Sequence, residues 1–307
     1  MPFVETPHFA KKFNWSHHSN PESVPICKKM FEKVHVRPAV NSAWQIIKND
    51  APGDKSDAFK TINKYAEANA KMLAGRTVQE MCDMVILENK SQEEAIEYGA
   101  AAFRDYKPLN WQAEKDAAQA VICADELHSV FKNALEGLSE AQAALGLNRL
   151  TGEADILSDW KGLQLRFNGK PDYSKRVELK TVWSSVADTK SGRRAGNVPT
   201  NPTHSHLSQV TGYWVITNRL SQCIVQTSAT KTNVHTADNC EKLHDEAMHI
   251  RAQSITARCK IRENLLRTAE TKEQLFELIE PDFSHMYAWN INPAALFEAK
   301  QLFGFAT

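Results

Sequence analysis

A glutamate and a lysine stand two residues apart in the stretch RVELKTVWSS, residues 176–185. The apolar residues around them indicate a β-strand, and alternate side chains of a strand point to the same face. Glu178 and Lys180 would therefore lie side by side, as a hard oxygen ligand for a divalent cation next to an ammonium group. The alternative is an ordinary strand whose two charged side chains face solvent.

The spacing alone is weak evidence, because an acidic residue followed two positions later by lysine occurs seven times in the chain. The matches begin at Glu88, Asp105, Asp159, Glu178, Asp188, Glu270 and Glu298. The match at Glu178 is the one centred in a strand-like run.

Two further patterns surround this strand. Asp155 lies three residues after a glycine in TGEADIL, at a position suited to a ligand for a hard cation. Gln209 and Tyr213, in HLSQVTGYW, have the i, i+4 spacing that puts an amide and a phenol on one helix face. Taken singly, each also fits an ordinary role, as a turn aspartate or as part of a half-buried helix face.

Taken together, G-x-x-D, E-x-K and Q-x-x-x-Y in this order resemble the RecB-like branch of the PD-(D/E)XK nuclease superfamily, over about residues 75–235. The resemblance implies an α/β, restriction-endonuclease-like fold, with a mixed central sheet flanked by helices and helical additions at both ends. It implies that Asp155 and Glu178 bind metal, that Lys180 serves the attacking water, and that Gln209 and Tyr213 support the lysine and the DNA strand.

The implied cofactor is Mg²⁺ or Mn²⁺. The carbonyl of Leu179 would complete the coordination, and Glu140 is a further acidic ligand that related exonucleases place before the aspartate strand. The family often has G-x-x-x-H at a helix start, but here Gln79 stands in place of the histidine, with His128 as a rival ligand. No iron–sulfur cluster is expected, because the six cysteines are scattered and contain no CxxC.

The predicted partner is DNA. The formal net charge is zero, so attraction to phosphate requires a local basic patch. Nine Lys or Arg residues lie between positions 161 and 194, against three acidic ones. Another three arginines share one stripe of a C-terminal helix, although a solvated face is the alternative for them. The DNA-binding candidates are Lys161, Lys190, Arg193, Arg194, Arg251, Arg258 and Arg262.

The function expected from the resemblance is a metal-dependent DNA exonuclease of the stand-alone phage or mitochondrial-maintenance type, acting in DNA degradation, replication or recombination. A replication or recombination protein would be a possible associate. The alternatives are a structure-selective endonuclease and a catalytically silent DNA-binding module on the same fold. The absence of an apolar leader or membrane span favours the cytoplasm, or the host cytoplasm for a phage protein.

The elements that must position these residues follow from periodicity. Residues 56–138 read as helices, with Gly75 and Gly137 as stops and Ser91 as part of an S-x-x-E cap. EAQAALGLNRL, TGEADIL, GLQLRFNG and RVELKTVW read as strands, and a polar loop precedes the Gln209 helix and the strand QCIVQTSATK. The predicted regions are a helical part at 1–138, the nuclease core at 139–235 and a C-terminal helical part at 236–307.

Overall fold

The computed structural model describes residues 69–108, 113–163, 167–187 and 192–268. These residues fall into two compact units, one made of 69–156 and 170–251 and the other of 157–163, 167–169 and 252–268. Within the described ranges the protein is mixed α/β, with five α-helices and a small mixed sheet. The coarse prediction of an α/β protein is confirmed, whereas the restriction-endonuclease-like fold and the helical additions at both ends stay predictions.

Three helices precede the sheet: α1 (Ala70–Ile86), α2 (Gln92–Arg104) and α3 (Ala113–Ala144). Helix α1 begins where the Asn69 side chain accepts a hydrogen bond from the Met72 amide. Helix α2 begins with the predicted capping box, since the Ser91 hydroxyl accepts from the Glu94 amide and the Glu94 carboxylate accepts from the Ser91 amide.

The two glycines predicted to end helices lie inside them. Helix α1 continues eleven residues beyond Gly75 to Ile86, and α3 continues from Gly137 to Ala144, so both stop predictions are wrong. A Cβ at position 75 would lie 3.1 Å from Thr181 Oγ1, and one at position 137 would lie 2.7 Å from Val225 Cγ1. These glycines allow the helices to approach the sheet closely, a tertiary reason that local helix rules do not contain.

Short strands follow: β1 (Ile156–Ser158), β2 (Phe167–Gly169), β3 (Val177–Thr181), β4 (Ser185–Val186) and β5 (Arg193–Arg194). Next come α4 (His204–Ile216), β6 (Cys223–Thr227), β7 (Thr232–His235), a 3-10 turn (Glu241–Leu243) and α5 (Asp245–Thr268). The predicted strand in EAQAALGLNRL is wrong, since its first residues finish α3. Strand β7 and the short strand β5 within the polar loop were not predicted from the sequence.

The central sheet has the order β3-β6-β7, with β3 and β6 parallel and β6 and β7 antiparallel. Helix α4 is part of the crossover between the two parallel strands, as a parallel pair requires. One sheet face contributes Val177, Leu179, Val225 and Val234 to an apolar core shared with α1, α2 and α3. The opposite face, called here the polar sheet face, carries Glu178, Lys180, Gln226 and His235 beside the apolar Ile224. Gln209 and His206 of α4 bond to this face.

In the other unit, the Trp160 ring packs against Phe167 at a centroid distance of 4.7 Å, and its Nε1 donates to Thr256 Oγ1 at 2.8 Å. Trp160 and the buried α5 residues Ile255 and Cys259 belong to this unit. Lys161 and Arg258, two of the predicted DNA-binding residues, are exposed there.

Gly137→Ala is expected to lower the melting temperature, although alanine favours a helix interior by roughly 1 kcal/mol over glycine. The added methyl would lie 2.7 Å from both Thr232 Cγ2 and Val225 Cγ1. Overpacking of this kind costs about 1–3 kcal/mol, which exceeds the gain in propensity. Ser139→Ala, at an exposed position of the same helix, is the control and should not lower it. A Gly137→Ala protein that melts at or above the wild-type temperature would contradict the close packing of α3 on the sheet.

Candidate functional site

Glu178 is the centre of the polar sheet face. It belongs to β3 and is only 2% exposed. Its Oε1 accepts hydrogen bonds from Lys180 Nζ and from Gln209 Nε2, the latter at 2.6 Å. Glu178 and Lys180 thus lie on one strand face as their spacing predicted, and they contact each other, with the lysine side chain 25% exposed. The alternative of two charges facing solvent does not describe Glu178.

Helix α4 brings an amide and a phenol to this carboxylate. The helix begins where Thr203 Oγ1 accepts from the His206 amide at 3.3 Å, and it places Gln209 and Tyr213 one turn apart. Gln209 Nε2 lies 2.7 Å from Tyr213 Oη, which donates to the Lys170 carbonyl at 3.2 Å. The predicted pair therefore shares one helix face, and that face adjoins Glu178.

Asp172 is a neighbouring acidic residue that the sequence analysis did not select. Its Oδ2 accepts a hydrogen bond from the Leu179 amide at 2.7 Å, so its carboxylate lies beside the strand between the positions of Glu178 and Lys180. Ser174 and Lys175 have positive φ values of 50° and 62°, and this turn folds the chain back onto β3. The sequence signal was a proline–aspartate pair, residues 171–172, six residues before the glutamate.

The pKa values follow from burial and from these contacts. Burial and then the charge of Glu178 raise the pKa of Asp172 well above its usual range, and burial also raises the pKa of Glu178. Burial opposes the charge on Lys180, but Glu178 and Asp172 outweigh it and raise the lysine pKa. Burial, followed by the charge of Glu178, raises the pKa of Tyr213 well above normal. The site therefore carries excess negative charge in a poorly solvated setting.

Glu178 Oε2 is buried and has no hydrogen-bond partner among the described residues. An unsatisfied carboxylate oxygen in a protein interior is costly, and a cation would satisfy it. Oxygen atoms of Asp and Glu are ligands that Mg²⁺ prefers, and Mg²⁺ is often held by one or two carboxylates with water and phosphate completing its shell. The residues present therefore fit a divalent cation on the Oε2 side of Glu178.

Glu153 is a further acidic neighbour. Its charge raises the pKa of both Asp172 and Glu178, although its own Oε2 is 2.5 Å from Lys170 Nζ. Its side chain is 37% exposed, so the ion pair contributes little to stability. Glu153 stands two positions before Asp155 in TGEADIL. Of these two acidic residues, Glu153 is the one whose charge acts on the pKa of Asp172 and Glu178.

The other predicted ligands, just before β1 and on α1 and α3, form no hydrogen bond or ion pair with Glu178, Asp172 or Lys180. Asp155 is exposed just before β1 and forms no hydrogen bond or ion pair with the described residues. Glu140 is exposed on α3, where its charge acts on Cys223. Gln79 is half-buried on α1, and its backbone carbonyl accepts a hydrogen bond from Tyr173 Oη at 3.5 Å. Within the described ranges no group of three or more His, Cys, Asp or Glu side chains is arranged to hold a metal ion.

The remaining two metal-ligand candidates differ in their surroundings. Leu179 lies next to the site through its backbone, whereas its side chain is in the apolar core. His128 is exposed on α3 and lines an apolar pocket with Met81, Phe103 and Leu127. These surroundings fit the ordinary reading of His128 as a helix-face residue.

The predicted basic residues fall in several places. Arg193 donates from Nη2 to Glu126 Oε1 at 2.8 Å, and Arg194 is exposed beside it. Arg251 is held internally, since its Nε donates to Thr211 Oγ1 at 3.0 Å and its Nη2 donates to the Lys242 carbonyl. Arg251 therefore links α5 to α4, and its guanidinium is not part of an exposed basic stripe on α5. Lys190 and the Arg262 side chain lie outside the described residues.

The chain that leaves β3 is fixed by α3. Glu126 accepts from the Ser184 amide at 3.0 Å and from its hydroxyl at 2.5 Å, and Gln119 donates to the Ser184 carbonyl at 2.8 Å. Lys71, on α1, donates to the Ser185 hydroxyl at 2.6 Å. These bonds anchor the end of the strand that carries Glu178 and Lys180.

Comparisons with protein-family models, with curated proteins and with solved structures find no match. Among the helices of the described residues, none is long and apolar enough to cross a membrane.

Proposed function

We propose that the protein is a metal-dependent deoxyribonuclease with a PD-(D/E)XK-type site, acting as an exonuclease. The observation that carries the proposal is the state of Glu178. One of its oxygens is bonded to Lys180 and Gln209, while the other is buried without a partner. A strand that merely exposed two charges would not bury the glutamate and leave one oxygen unsatisfied.

Glu178 and Asp172 are the residues that would hold the cation, with Glu153 as a neighbouring carboxylate. The roles of Asp155, Glu140, Gln79 and the Leu179 carbonyl as ligands stay predictions. When bound, Mg²⁺ or Mn²⁺ would lower the pKa of a coordinated water and polarise a phosphoryl oxygen. The raised pKa values of Asp172 and Glu178 support this use, because a cation would favour their charged forms.

Lys180 stabilises hydroxide and the negative charge that develops on the phosphoryl group. Glu178 keeps the ammonium charged and fixes its position, since it raises the lysine pKa and accepts its hydrogen bond. Gln209 holds the same carboxylate oxygen, and Tyr213 holds Gln209. The two α4 residues therefore orient Glu178, so that Oε1 serves the lysine and Oε2 is left for a cation.

The DNA strand would approach the partly exposed side chain of Lys180, with exposed Arg194 as a phosphate contact beside the anchored end of β3. Degradation of DNA during replication or recombination is the process that such an enzyme would serve. A structure-selective endonuclease would cut circular DNA, which an exonuclease leaves intact. A silent DNA-binding module would bind DNA without cutting linear or circular molecules.

The test uses the full-length protein with end-labelled linear DNA and with covalently closed circular DNA. Each substrate is incubated with Mg²⁺, with Mn²⁺ and with EDTA, and Glu178→Gln is the matched inactive control. An exonuclease degrades linear DNA only, in either metal and never in EDTA. Cutting of the circle indicates an endonuclease, and binding without any cleavage indicates the silent module. Cleavage that Glu178→Gln retains would reject this site as its source.

A further inference from the structure

Three polar side chains form a hydrogen-bonded chain on the polar face of the sheet. Gln226 Nε2 is 3.2 Å from His206 Nδ1, and Gln226 Oε1 is 2.9 Å from His235 Nε2. Gln226 is fully buried, His235 is 7% exposed and His206 is half-buried. Both ends of one buried amide are therefore bonded to imidazoles, and one of those imidazoles reaches the protein surface.

This chain lies next to Lys180. Gln226 is the register partner of Lys180 across the parallel β3–β6 pair, and neighbouring strands are about 4.8 Å apart. His206 precedes Gln209 by three residues on α4, which is roughly 4.5 Å along a helix axis and on the same face. The imidazole of His206 is thus tied from two directions to the elements that carry Lys180 and Gln209.

The amide of Gln226 satisfies both imidazoles in either of two orientations. In one, it donates to His206 Nδ1 and accepts from His235 Nε2. In the reverse orientation, His206 Nδ1–H donates to the amide oxygen, and the amide donates to His235 Nε2. The reverse orientation lets His206 carry protons on both nitrogens while His235 stays neutral. Burial, and then Lys231, lowers the pKa of His235, which agrees with a neutral ring there.

We propose that His206 is a further catalytic residue that gives a proton to the oxygen leaving the phosphorus. The inference rests on the proposed nuclease function. The water oxygen bonds to phosphorus, the bond to the leaving oxygen breaks, and its electron pair stays on that oxygen. The leaving oxygen takes the Nε2 proton of His206 and becomes a hydroxyl group, while the proton of the attacking water passes to solvent. His206 becomes neutral and regains a proton from bulk water.

Charged and titratable groups lie on the described elements around His206. On β3 these are Lys180 and Glu178, which are paired with each other. His235 on β7, with Lys231 just before that strand, lies at the far side of neutral Gln226. His204, on α4 itself, bonds Ser208 at 3.5 Å on the exposed side. Gln226 is the one group among these whose amide can be reversed to accept from a protonated His206.

His206→Gln separates proton donation from support of the fold, because glutamine keeps an amide that can bond to Gln226. Cleavage of ordinary DNA should slow by about 10²-fold, the lower end for loss of a general acid. The second substrate is DNA with sulfur in place of the leaving oxygen, at the 3′ bridging position in one set and at the 5′ bridging position in another. Its cleavage needs no proton donor, because a thiolate leaves more easily than an alkoxide. Its cleavage by His206→Gln should stay within a few-fold of wild type. His204→Gln, two residues earlier and exposed, is the matched control and should cleave both substrates normally.

Gln226→Glu is the second variant. A carboxylate against His206 favours the protonated ring, so the alkaline limb of the pH–rate profile should move to higher pH within the range where imidazoles titrate. Equal losses on both substrates with His206→Gln, or no loss on either, would overturn the inference while leaving the nuclease proposal intact. If wild-type protein cleaves neither substrate with Mg²⁺ or Mn²⁺, the nuclease proposal fails and the role of His206 fails with it.

Discussion

Lys180→Gln is expected to slow single-turnover DNA cleavage by roughly 10³-fold, within the range for losing a positioned charge or proton-transfer group. The charge of Lys180 matters mainly in the transition state, where negative charge develops on the phosphoryl oxygens. DNA affinity should fall little, because other basic residues supply phosphate contacts. A rate measured under single-turnover conditions, beside a DNA titration of the same protein, checks both parts.

Glutamine is the right replacement because Glu178 is buried and bonded to Lys180. An amide still donates to Glu178 Oε1, whereas Lys180→Met would leave that oxygen with Gln209 alone. Both replacements remove the charge that lowers the pKa of Glu178, so a metal titration of each variant separates lost metal binding from lost chemistry. Lys132→Gln, at an exposed position of α3, is the control for loss of a positive charge. Near wild-type cleavage by Lys180→Gln would remove the strand RVELKTVWSS from the reaction.

Asp172→Asn should abolish metal-dependent cleavage, with a loss of about 10³-fold or more, and should weaken Mn²⁺ binding in a metal titration. The expectation follows from the place of Asp172 beside Glu178, because a divalent cation held by two carboxylates loses one of its anionic ligands in this variant. Asparagine can still accept from the Leu179 amide, so the turn that places residue 172 is kept. Asp238→Asn, an exposed aspartate after β7, controls for loss of one negative charge.

Asp155→Asn, measured in parallel, tests the ligand that the sequence motif predicts. A smaller loss than that of Asp172→Asn is expected, because Asp155 forms no hydrogen bond or ion pair with the described residues. If Asp155→Asn loses metal binding and Asp172→Asn keeps it, the second carboxylate has been assigned to the wrong residue.

The stability of the metal-free protein should change with pH in a direction that Asp172 sets. Its folded pKa is raised above the unfolded value, so the protonated form stabilises the fold at low pH. This contribution to the free energy of unfolding is lost as pH rises through the raised pKa of Asp172. Asparagine does not titrate, so the stability of Asp172→Asn should not fall over the same pH range. In a pH series without metal, Asp172→Asn should melt above wild type at the alkaline end, and Mg²⁺ should raise the melting temperature of the wild type only. Equal melting temperatures across the series and with Mg²⁺ would contradict a half-buried, negatively charged Asp172.

Periodicity along the chain predicted several elements of the site correctly. The alternation in RVELKTVW predicted the strand now seen at Val177–Thr181, and the spacing of Gln209 and Tyr213 predicted one face of α4. These patterns depend on the repeat of a strand or a helix, which a few neighbouring residues define. The same local rules misplaced the helix ends at Gly75 and Gly137, because those glycines are set by the distance between helix and sheet.

The sequence by itself determined that a glutamate and a lysine share a strand face and that an amide and a phenol share a helix face. Only the tertiary structure decided that these two faces meet, that Glu178 is buried with one oxygen unpaired, and that Asp172 lies beside it. The reason is that the parallel pairing of β3 and β6, with α4 in the crossover, joins segments far apart in the chain. The left-handed turn at Ser174 and Lys175 brings Asp172 back to the strand, and strand or helix periodicity carries no signal for such a turn.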